Sequence, residues 1–127
     1  MNLNDAVSYF RSITDQTHRF WAYYQGVTAA VVVLVWSIEV VPKNSGWWLV
    51  LGYLLFSLLN CRLIALSQRG AVVAWQCIQD YRQQSSGEIP VPLQPLLDIN
   101  KPDSTFSVIV MHIALSVFAA WMIWIRT

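Results

Sequence analysis

GWWLVLGYLLFSLLNCRLIALSQRGAVVAWQCIQDYRQQ, residues 46–84, decides the architecture. Its first part, 47–66, is apolar and aromatic, and ~20 residues at ~1.5 Å rise each cross a hydrocarbon slab of ~30 Å. No proline interrupts the rest of the stretch. The helix is therefore expected to run on over 67–85, where Arg69, Asp80 and Arg82 bring charge and call for water. Arg62, Arg69, Gln76 and Gln83 recur every seventh residue. That spacing drifts by only ~20° per step, so the four stack along one helix face that crosses the membrane boundary. The centre of the expected fold is a second span prolonged as a cytosolic stalk.

Upstream, residues 3–17 set Leu3, Ala6, Val7, Phe10 and Ile13 at helical spacing against Asn4, Asp5, Ser8, Arg11, Ser12 and Asp15. This pattern predicts an amphipathic helix. Nothing breaks it before the first span, 20–38, so two arrangements stay open: one continuous helix, or a bend that lays the segment on the membrane surface. The span FWAYYQGVTAAVVVLVWSI is too long for a signal-peptide core, and no small-x-small site comes after it. It is expected to stay uncleaved. Ala22, Gly26 and Ala30 place a small residue at every fourth position, a ridge on which a second helix can approach closely in lipid.

Downstream of the first span, Pro42 and Gly46 suit a tight helical hairpin. Four of the five prolines fall within 86–103, which reads as an extended surface linker. Asp103 or Ser104 then caps a third span over 106–125. The predicted class is an all-α integral membrane protein, a single membrane domain over 1–127 with three transmembrane helices, an amphipathic N-terminal helix and the stalk.

Orientation is set by the cations. Arg11, Arg19, Arg62, Arg69, Arg82 and Lys101 share one side of a three-span protein, while Lys43 and Arg126 occupy the other. The positive-inside rule then puts the N-terminus and the stalk in the cytoplasm and the C-terminus outside. The aromatic residues give the same answer. Trp36, Trp47, Trp48, Trp121 and Trp124 form an outer belt, with Trp21, Tyr23 and Tyr24 at the inner interface.

Composition narrows the chemistry. Of 127 residues, 56% are hydrophobic and 12% charged, about half the usual charged share. A net charge of +1 gives no global electrostatic signature. Cys61 and Cys77 would lie ~24 Å apart along one helix, too far to pair, and their expected place keeps them reduced. The glycines are scattered, no Cys or His pair has metal-ligand spacing, and no serine sits in a nucleophile elbow. No enzyme activity, cofactor or metal is expected.

Counting inward at ~1.5 Å per residue puts Gln25 ~8 Å deep, His112 ~9 Å deep, and Asn60 and Arg62 ~8–11 Å from the inner surface. Ser57 and Ser116 fall together near the midplane. Polar groups in hydrocarbon cost several kcal/mol unless partnered or wet, so this layer is either helix packing or the lining of a vestibule. Asn60 and Arg62 are ~200° apart around the helix and cannot both face one pore. Arg62 is the better lining candidate, because its stripe continues through Arg69.

On the cytosolic side, Arg69, Trp75, Gln76, Arg82 and Lys101 interleave cations with an aromatic ring. That mixture suits an anionic ligand with a stackable base, a nucleotide or short oligonucleotide, or else a partner protein. With Arg62 and Arg69 beside Trp75 on a three-span chain, the protein resembles the small multi-pass membrane effectors of bacterial anti-phage defence systems. The resemblance implies a cell inner membrane location and an oligomer there that disrupts ion balance on receiving a nucleotide-type signal. Three spans cannot enclose a wet path alone, so a homo-oligomer, a tetramer or larger, is expected beside the lipid itself. Two other classes compete. One is a non-catalytic accessory subunit of a larger membrane complex. The other is a phage holin, whose common charged C-terminal tail is missing from Ile125-Arg126-Thr127.

Overall fold

The computed structural model describes residues 3–39, 41–84 and 101–127. Three helices account for nearly all of them: α1, Leu3–Ser37; α2, Lys43–Gln84; and α3, Thr105–Arg126. Each contains a stretch long and apolar enough to cross a membrane. At ~1.5 Å per residue, α3 is about 33 Å long and fits the slab, whereas α1 and α2 outrun it by about 20–30 Å.

The helices form an up-down-up bundle. α2 packs along both of the others, and α1 and α3 meet least. The expected linker 86–103 lies outside the described residues as far as 100; Lys101–Ser104 is non-helical and leads into α3. Ser104 is the N-cap, its hydroxyl accepting from the Ser107 N–H at 3.1 Å. That satisfies one of the backbone donors which the first helical turn leaves without a partner.

Of the two arrangements left open for residues 3–17, the continuous helix is the one observed. The reason is a partner for its apolar face. Ala6 is buried on α1, and Ala71, Ala74, Trp75 and Ile78 are buried on α2. Phe10 meets Trp75 with ring centroids 5.7 Å apart. The prolongation of α2 is therefore one half of an antiparallel helix pair and not a lone stalk.

Gly70 lies at a close approach of the pair, since a Cβ there would press on the Ile13 Cδ1. Gly70→Leu should push α1 off α2 and lower stability by about 1–3 kcal/mol, as overpacking does, read as a reduced unfolding midpoint in detergent. Gly52→Leu is the control. Nothing lies within 4 Å of a Cβ built there, and the bundle should hold to within about 0.5 kcal/mol.

At the opposite end, Val35, Tyr53, Ala119 and Ile123 make a buried apolar cluster. Trp47 and Trp124 stack edge-on at 4.5 Å. The Arg126 guanidinium donates to the Ile38 carbonyl at 2.8 Å, giving the end of α1 a cationic cap. Trp36, Trp47, Trp48, Trp121 and Trp124 are all exposed around this end, as a belt requires.

Candidate functional site

The polar residues of the three spans sort into two sets, one inside the bundle and one outside it. The inner set begins with spacing. Tyr24 and Thr28 on α1, Tyr53, Ser57 and Asn60 on α2, and His112 and Ser116 on α3 each recur at three or four residues, so each helix turns them onto one face. The bundle brings those faces together.

Ser116 is the hub. Its hydroxyl lies 2.8 Å from the Tyr24 hydroxyl, 2.5 Å from Ser57 Oγ and 3.2 Å from His112 Nδ1. It also donates to the His112 carbonyl at 2.7 Å. Tyr53 Oη lies 3.2 Å from both the Tyr24 hydroxyl and Thr28 Oγ1. Asn60 Nδ2 reaches His112 Nε2 at 3.5 Å. A carbonyl can only accept, so the His112 oxygen sets the direction of the chain: Thr28 donates to Tyr53, Tyr53 to Tyr24, Tyr24 to Ser116, and Ser116 to that oxygen. With Tyr24 and Ser57 both donating, the two lone pairs of Ser116 are filled, and His112 is held beside them by its Nε2 contact with Asn60.

Burial matches the bonding. Tyr24 and His112 are each 1% exposed, and their rings lie 4.1 Å apart. Toward the ends of α1 and α2 that outrun α3 there is a second layer. Ser67 Oγ lies 2.5 Å from Thr17 Oγ1 and donates to the Ile13 carbonyl at 3.2 Å. Gln68 Nε2 donates to the Asp103 carbonyl at 2.7 Å, fixing where α3 enters. These bonds satisfy groups that would each be costly in hydrocarbon. The inner set therefore holds three helices in register, next to the buried apolar cluster of Val35, Tyr53, Ala119 and Ile123.

The outer set is the stripe. Arg62, Arg69, Gln76 and Gln83 are all exposed, while Tyr53, Asn60, Ile64, Ala71 and Ile78 on the same helix are buried. At 100° per residue the stripe lies nearly opposite the buried face, turned away from both α1 and α3. Asn60 inside and Arg62 outside agree with the ~200° separation read from their spacing.

The expected polar layer is thus divided. Asn60 and His112 meet, together with Ser57 and Ser116. Gln25 does not join them: it is exposed, one helical step round from Tyr24, which takes the inward position. Arg62 does not join them either. Tyr24, assigned by sequence to an interfacial belt, is a core residue. Both corrections have one cause, since FWAYYQ offers three amphipathic side chains in a row and only packing decides which turns in. The signal that could have found the network is the pairing of Tyr24 with Thr28 and of Tyr53 with Ser57 and Asn60 at helical spacing.

Among the candidates for an anionic ligand, Trp75, Gln76 and Lys101 line a common hollow of about 380 Å³ with Asp80 and Gln79. Arg69 and Arg82 lie outside its lining. Trp75 is only 8% exposed, with its ring against Phe10, so its face is largely taken by protein. The Asp80 carboxylate, sharing the lining with Lys101, also leaves the hollow without a net positive charge. Ala22, Gly26 and Ala30 are exposed, forming a ridge on the outside of α1.

The chain matches no family model, no curated protein and no solved structure.

Proposed function

We propose that this protein is an oligomeric, channel-like effector of a bacterial inner membrane, built from copies whose α2 helices face a common axis. The observation that carries the reading is the stripe. An arginine ~8–11 Å inside the membrane boundary, on a face that α1 and α3 leave uncovered, is costly in lipid and stabilised by water or protein. Association of copies gives Arg62 such surroundings and sets Arg69, Gln76 and Gln83 below it as a polar, cationic mouth. The ridge of Ala22, Gly26 and Ala30 lies on a separate face and offers a contact to a neighbouring copy.

In this reading the N-terminus and the α1–α2 projection lie in the cytoplasm and the C-terminus outside, as the cation distribution requires. The buried network inside each chain keeps the subunit rigid while the outer faces assemble. An anionic ligand or partner protein engaging Arg69 and Gln76 on the exposed face of α2 would gate the assembly from the cytosol. The anti-phage role rests on the architectural resemblance.

Purified protein in planar bilayers should carry current in discrete steps. Arg62→Ala and Arg69→Ala should each change the conductance several-fold while membrane insertion is unaffected. A silent, monomeric preparation would turn the reading toward an accessory subunit, whose Arg62 meets an acidic group on an unlike chain.

A further inference from the structure

α1 and α3 run parallel and part from each other, leaving a lateral groove along their seam. Its inner part, about 530 Å³, is bordered by Thr14, His18, Trp21, Lys101, Asp103 and Met111. Its outer part, about 320 Å³, is bordered by Ala29, Val32, Leu115, Phe118 and Met122. Gln25 lines both parts. Polarity changes along the length: an ammonium, a carboxylate and an imidazole stand at the mouth, and only aliphatic, thioether and aromatic groups beyond Thr28. From Trp21 to Val32 the groove runs about 17 Å, with Gln25 and Thr28 along it, close to the ~15 Å of one leaflet's hydrocarbon.

We propose that this groove holds one phospholipid of the leaflet at the Lys101 end, with a headgroup that carries a phosphate and a primary ammonium. The tail lies along Val32, Leu115 and Met122. The phosphate meets Lys101 and His18, and the ammonium meets Asp103, whose backbone carbonyl is already held by Gln68. A second observation points to the same occupant. Thr14 borders the mouth with its Oγ1 covered and without a hydrogen-bond partner among the described residues, a donor that a turn of the side chain would offer to a phosphate oxygen. A helix from a second copy would explain an apolar groove, but not opposite charges at one end of it. A quaternary ammonium has no N–H to give Asp103, so a choline headgroup is discriminated against.

Native mass spectrometry tests this on the full chain, reconstituted in vesicles of equal parts phosphatidylethanolamine, phosphatidylcholine and phosphatidylglycerol and then released into detergent. Phosphatidylethanolamine should be retained about tenfold over phosphatidylcholine, the ratio one lost charged hydrogen bond implies. Asp103→Asn should erase that preference, and Lys101→Ala should lower retention of every headgroup. Ala29→Trp, which fills the outer part from an exposed position, should expel the lipid while the unfolding midpoint stays unchanged. Equal retention of the three headgroups overturns the proposal, as does lipid still held by Ala29→Trp. A Met122→Cys cross-link to a second copy would equally overturn it, by giving the groove a different occupant.

Discussion

Tyr24→Ala unfolds the bundle at markedly lower denaturant than the parent chain, by about 3 kcal/mol or more, the loss typical of emptying an aromatic core site. The side chain is 1% exposed and ties α1 to polar groups of both α2 and α3 through one hydroxyl. Removing it empties a ring's volume beside His112 and Phe56, whose rings lie 4.1 and 6.3 Å away. In lipid, helix association depends on such packing, because no hydrophobic drive between spans makes up for its loss.

Tyr24→Phe separates the two contributions. It keeps the ring and deletes the hydroxyl, so the effect should fall near the ~0.6 kcal/mol average for hydrogen bonds between spans, at most ~1.7. Ser116→Ala should exceed it, since Ser57 and His112 Nδ1 lose the same partner together. Reversible unfolding in mixed micelles, followed by tryptophan fluorescence, measures all three. A Tyr24→Ala value within about 0.5 kcal/mol of the parent would mean the network is not what holds the helices.

Much of this fold was legible because length and hydropathy report the existence of a span directly. The 47–66 run, the 20–38 run and the 106–125 run each fall on an observed helix, the 20–38 run passing the end of α1 by one residue. The common level of Ser57 and Ser116 was legible too, since rise per residue fixes depth; they meet at 2.5 Å. So was the opposition of Asn60 and Arg62, since 100° per residue fixes azimuth.

What resisted was the choice of facing partner. Tyr24 and Gln25 are equally able to hydrogen bond, and their azimuths differ by 100°. Which one turns inward depends on where α2 and α3 dock, a property no window of α1 contains. Trp75 failed for the same reason. An aromatic ring among cations reads as a stacking platform until Phe10, sixty-five positions away in sequence, covers it. Continuity of α1 through Gln16–Phe20 needed the same knowledge, namely that Ala71, Ala74 and Ile78 wait opposite its N-terminal part.

The second large effect concerns the outward face of α2. In a background where Cys61 and Cys77 are replaced by alanine, Arg69→Cys and Gln76→Cys should bring thiols of neighbouring copies within reach of a short bis-maleimide. Both positions are exposed and point away from α1 and α3, and with each cysteine introduced alone a chain has no second thiol with which to satisfy the reagent by itself. Phe118→Cys provides the comparison. It is 59% exposed, on the groove side of α3, where no copy is expected.

Cross-linking in native membranes at these three positions is therefore the most direct measurement. Copies arranged with α2 toward a shared axis give covalent dimers and higher multiples in most of the protein at 69 and 76, and little at 118. Monomer alone at 69 and 76, or equal products at all three positions, would contradict that arrangement.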